Sequence, residues 1–130
     1  FIVFFILFFP NYPANAADNT ILKKHYYKEN YYRQLWCSLN NGKEEFINYD
    51  KTRVDCLTKT HAVEFDFADK WAESIGQALH YSYMTGKKAK IILILENPDK
   101  QMKYFERVQN LGKIYNFDVD YITSDYLKNH

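Results

Sequence analysis

The sequence predicts an α/β fold, a mixed central sheet flanked by helices. Three observations predict it. Apolar residues recur at helical spacing in three stretches, and they alternate or run together in five shorter ones. These stretches follow the order helix, three strands, helix, strand, helix, strand, which places helices over a sheet. The run Lys90 to Glu96 is apolar and β-branched, as in a buried strand. The chain has 130 residues, enough for one domain with a real core. Its 47% hydrophobic and 18% aromatic content excludes a disordered chain. A formal net charge of +1 is too balanced to mark a nucleic-acid binder, so any DNA contact needs a local basic surface.

Phe1 to Phe9 is an unbroken apolar run, followed by Pro10, Pro13 and Ala14-Asn15-Ala16. That pattern is the h-region and small-x-small cleavage site of a signal peptide, with cleavage expected after Ala16. The first residue is Phe rather than Met and no basic n-region precedes the run, so the start of the signal is expected to be missing. The run is too short for a permanent membrane span, which needs about 20 residues. The other reading of this run is a buried strand or an uncleaved anchor. On the signal reading, residues 17–130 form a single exported domain, periplasmic or extracellular. Export makes a Cys37–Cys56 disulfide the expected state of the two cysteines, the alternative being two buried thiols.

Asp18 to about Ser38 reads as a helix, capped by Asp18 or by Asn19-Thr20. Tyr27, Tyr31, Leu35 and Tyr32, Trp36, Leu39 stand at i, i+4 spacing and are expected to face the core. Glu29 lies off that stripe. Asn40-Asn41-Gly42 stops the helix. Glu45 to Tyr49 and Arg53 to Leu57 read as a hairpin turned at Asp50-Lys51, and His61 to Phe67 as a third strand. In that strand Val63, Phe65 and Phe67 alternate with Glu64 and Asp66, so one side is oily and the other holds two carboxylates. Asp69 is the expected cap of a helix from Lys70 to about Thr85, ended by Gly86. Asn97-Pro98-Asp99 breaks the buried strand. Lys100 to Tyr115 is amphipathic, with Met102, Phe105, Val108 and Leu111 on one stripe. Phe117 to Ile122 is the last strand, and the tail is expected to end in a short helix.

The chemistry concentrates between Thr52 and Tyr83. At about 100° per residue, Lys70, Ser74, Gln77 and Tyr81 share one helix sector, while Trp71, Ile75, Ala78 and Leu79 cover an apolar one. The polar stripe starts directly after the strand bearing Glu64 and Asp66. If Asp55 faces the same way, three carboxylates converge, and each raises the pKa of the others. A hard cation removes that cost, and Mg²⁺ takes one or two carboxylates while keeping several waters. Such an ion activates water against a phosphodiester. Taken singly, each acid also fits an ordinary solvated strand face. His61 and His80 read as structural, and Trp36 and Trp71 as core.

This order of residues resembles the PD-(D/E)XK nuclease superfamily in its QxxxY variant, over about Glu29 to Glu96. Asp55 matches the first acid, Glu64 the second, Gln77 to Tyr81 the QxxxY helix, and Glu29 the acid of the first helix. The resemblance implies a restriction-endonuclease-like αβββαβ core, here extended by a helix and a strand. It implies Mg²⁺ held by Asp55 and Glu64, with Asp66 assisting and Glu29 as an outer ligand. It also implies hydrolysis of DNA, with Gln77 and Tyr81 orienting. The third-strand motif reads Glu64-Phe65-Asp66 where the superfamily has Glu-x-Lys, so Lys70 is the expected substitute for the catalytic lysine. A different class of reading remains open: an exported, non-catalytic module on the same scaffold that binds an unidentified protein.

Overall fold

The structure is a computed structural model and describes residues 25–130. The expected signal peptide and the expected caps Asp18, Asn19 and Thr20 lie outside these residues. In chain order the elements are α1 (Glu29–Leu39), β1 (Lys43–Ile47), β2 (Arg53–Leu57), β3 (His61–Phe67), a 3-10 turn (Ala68–Lys70), α2 (Trp71–Thr85), β4 (Lys88–Leu95), α3 (Pro98–Tyr115), β5 (Asp118–Thr123) and α4 (Asp125–Lys128).

The five strands form one sheet in the order β1-β2-β3-β4-β5. Short links make β1, β2 and β3 antiparallel neighbours. The helical crossovers α2 and α3 make β3, β4 and β5 parallel. The sheet is therefore mixed, with helices on both faces. On β4, Ile91, Leu93 and Leu95 pack with Ala78 of α2 and Val108 of α3. Ile92 and Ile94 point the other way, toward Cys37 and Tyr32 of α1. That two-sided burial is why the run carries no polar alternation.

Register fixes the side on which the acids lie. Glu64 stands beside Ile91 and Asp66 beside Leu93, so both carboxylates project toward the α2 layer. Val63, Phe65 and Phe67 project toward α1. Neither acid occupies a solvated face: each is only 4% exposed.

Cys37 and Cys56 are bonded, with Cα atoms 5.7 Å apart, and clip the last turns of α1 to the sheet. A disulfide suggests a non-cytoplasmic setting. Gly42 serves this bond as well as the turn, since a Cβ there would collide with both sulfur atoms. Among the described residues no helix is long and apolar enough to cross a membrane.

Several expected boundaries shift. Residues 25–28 are not helical, and Lys28 is extended at the start of α1. Here His25 stacks on Phe67, and both its ring and the Tyr26 N–H bond the Glu96 carboxylate. Tyr32 of the expected stripe is buried, whereas Tyr31 and Leu39 are exposed. The first strand lies two residues earlier than expected, because residues 48–52 are consumed by the turn. Asn48 N–H donates to the Thr52 carbonyl, and the Asp50 carboxylate accepts from the Thr52 N–H and hydroxyl. Asp69 caps nothing: it sits in the 3-10 turn, and α2 begins without a side-chain cap. Gly86 ends α2 in the left-handed region, at φ 67°.

Candidate active site

The site is made by a fork in the sheet. β2 and β3 pair only at Cys56 with Val63 and at Leu57 with Ala62. One step further on, the ladder is replaced by a side chain: Phe65 N–H donates to Asp55 Oδ2 at 2.8 Å. The carboxylate satisfies a backbone donor that would otherwise be orphaned. It also holds the strands apart, and a cleft of about 420 Å³ opens there.

Each wall of the cleft comes from a different element. β2 supplies Asp55 and Arg53, and β3 supplies Glu64 and Asp66. From α1 come Glu29 and Arg33, one helical turn apart. Lys70 stands at the entry to α2, and Gln77 and Tyr81 follow along that helix. All seven candidate residues, Glu29, Asp55, Glu64, Asp66, Lys70, Gln77 and Tyr81, thus line one cleft. Ser74 does not join them. It is fully buried, and its hydroxyl donates to the Trp71 carbonyl.

Crowding of acids in a half-dry gap sets the electrostatics. Burial, and then the neighbouring Asp55, push Glu64 up to about 10. Burial, then Glu29, push Asp66 up to about 7. Burial also raises Asp55, against the opposing pull of the Phe65 N–H and Arg33. Glu29 is raised by burial and by Asp55, with Arg33 and Lys70 countering. Tyr81 is pushed up to about 12 by burial and by Glu64, so its hydroxyl stays protonated as a donor.

Arg33 was not a candidate on sequence, yet it is the anchored cation of the site. Its guanidinium lies 3.4 Å from Asp55, 3.1 Å from Glu45 and 3.7 Å from Glu44. Its i+4 spacing from Glu29 was the available signal. Its three partners come from two other strands, which helical spacing does not reveal. Lys70, by contrast, is exposed, and it acts on Asp66 and Glu29 as a nearby positive charge. Gln77 reaches along its helix to Glu73 at 3.4 Å.

Among the described residues three buried side-chain polar atoms have no hydrogen-bond partner: Tyr32 Oη, Arg33 Nε and Glu64 Oε2. Arg33 Nε still has the Glu44 carboxylate 3.7 Å away as an ion-pair partner. Glu64 Oε2 is therefore the cleft atom left without one, a costly state for a buried polar group. Among the described residues no group of three or more His, Cys, Asp or Glu is disposed to hold a metal ion as it stands. His61 bonds Asp118 and His80 bonds Asp50, each at 2.7 Å and each on the outside of the fold. Trp71 packs in the α2–α3 core and Trp36 against Phe65. No protein-family model matches the chain, and no curated protein and no solved structure matches it either.

Proposed function

We propose that this is an exported, nuclease-like protein that hydrolyses phosphodiester bonds of DNA with Mg²⁺. One observation carries the reading: acids from β2, β3 and α1 meet the polar side of α2 in a single cleft. The element order helix, three strands, helix, strand is also the order that the resemblance implies.

The donor set is of the chemical type a hard divalent cation takes, although among the described residues no three of these acids are disposed around one ion as they stand. It offers carboxylate oxygens, and Glu64 Oε2 is buried without a partner. Mg²⁺ needs only one or two carboxylates, with water completing its shell. Asp55 and Glu64 would hold it, with Asp66 assisting and Glu29 outermost. When bound, the ion supplies charge stabilisation at the phosphate and lowers the pKa of a water. The chain's own groups do the rest. Arg33 fixes Asp55 in place. Lys70 positions the attacking water and neutralises charge that grows on the phosphate. Tyr81 donates a hydrogen bond, and Gln77 orients the same edge of the substrate.

A second reading is favoured by the Arg33–Asp55 pair and by the exposure of Lys70. In it the acids are neutralised by Arg33 and by protons, and the protein is a non-catalytic module for a protein partner. A plasmid-nicking assay separates the two. Nicking is expected with Mg²⁺, absent with EDTA, and lost in Glu64→Ala by a factor of at least about 10². Nicking that survives the substitution removes Glu64 from the site, and a folded wild type that cleaves neither plasmid nor a single-stranded circle of DNA leaves the module.

A further inference from the structure

Beside the acidic cleft lies a second cavity of quite different chemistry. It measures about 580 Å³ and is walled by His25, Tyr26, Tyr27, Tyr31 and Phe67. Its floor is a built stack. The His25 and Phe67 rings lie 7° from parallel with centroids 3.6 Å apart. The Glu96 carboxylate bonds the imidazole at 2.9 Å and orients the ring. A third of the His25 side chain remains exposed. Tyr26 and Tyr31 are exposed walls, although large aromatics are usually buried.

The two cavities are contiguous. Glu29 lines both. Phe67, under the imidazole, follows Asp66 on β3 but faces the α1 side of the sheet, so the two cavities meet at Glu29 of α1. Lys28 lines the aromatic cavity and Lys70 the acidic one, so each has a cation at its border.

We propose that the aromatic cavity is a stacking subsite for an unpaired nucleobase, and that the substrate of the neighbouring cleft is single-stranded nucleic acid. The inference rests on the phosphodiesterase reading for the cleft and names its substrate class. A base laid on His25 would continue the Phe67–His25 stack. Tyr26, Tyr27 and Tyr31 enclose its edges, and Lys28 meets the adjoining phosphate. Every base has a π-face, so such a subsite is tolerant of sequence. A base inside a duplex is already stacked on both sides and cannot enter without being extruded. The subsite therefore selects unpaired strands, frayed ends or loops.

The test is binding without catalysis. Fluorescence anisotropy is measured on Glu64→Gln in EDTA with three labelled probes: a twelve-nucleotide single strand, the same sequence as a blunt duplex, and a single strand of abasic sites. The single strand is expected to bind about tenfold or more tighter than the duplex and the abasic strand. Tyr31→Ala with His25→Ala is expected to remove that preference, while Tyr31→Phe keeps it. Thermal melts of each variant confirm folding, and a double variant that fails to fold is replaced by Tyr31→Ala alone. Equal affinity for the abasic strand, or no binding of the single strand, overturns the proposal. Nicking of duplex plasmid with Mg²⁺ by a protein that fails this test would leave the hydrolytic reading standing and remove only the base subsite. Base-dependent binding by a protein that never cleaves would do the reverse.

Discussion

Glu64 is where sequence, burial and chemistry meet. Its folded-state pKa is lifted to about 10 by burial and by Asp55, against an ordinary value of 4.5. Asp66 moves in the same sense, from 3.8 to about 7. Between the ordinary and the raised values the folded protein holds protons that the unfolded chain has released. The cation-free protein therefore loses stability as pH rises through those windows. Glu64→Gln retains the size and the neutral form but cannot ionise. In EDTA, the urea midpoint of the wild type is expected to fall between about pH 5 and about pH 8, and that of Glu64→Gln to fall distinctly less. Parallel pH profiles would show that Glu64 does not carry a trapped proton. Arg33 completes the local balance, because it is the one guanidinium held against Asp55.

At the scale of elements, α1 matters most, because it brings Glu29 and Arg33 to the cleft. The Cys37–Cys56 bond holds its end to β2, the strand of Asp55. Replacing both cysteines by alanine is expected to cost about 3 kcal/mol in a denaturant titration. An unchanged midpoint would mean that packing alone seats α1. β2 and β3 were legible to the residue, since branched and aromatic residues alternate there between clear turns. Their fork was not, for it depends on the Asp55 carboxylate meeting the Phe65 N–H ten residues on. The start of α1 was missed for a related reason. Tyr27 and Tyr31 continue a helical spacing, but His25 and Tyr26 are held by Glu96, some 70 residues away. At β1 the local chemistry of Asp50 and Thr52 outweighed the apolar pattern of the flanking residues. Distant partners and backbone substitutes of this kind leave no periodic trace.

For the whole molecule, the sheet changes character across β3, antiparallel on one side and parallel on the other. The cleft opens beside that strand, where its ladder to β2 ends. Through this opening α1 from one face and α2 from the other reach the same acids. The convergence was expected from Asp55, Glu64, Gln77 and Tyr81 on successive elements; that Arg33 anchors the cluster was not. On the hydrolytic reading proposed above, a divalent cation takes the place of protons in the gap, and ion and proton must then exchange. Calorimetric titration of the wild type with Mg²⁺ at about pH 8, in two buffers of different ionisation enthalpy, counts the protons released per ion. Release of about one proton per Mg²⁺, lost together with the binding in Glu64→Gln, is the predicted result. No saturable binding, or binding that frees no proton and is indifferent to Glu64→Gln, would contradict it.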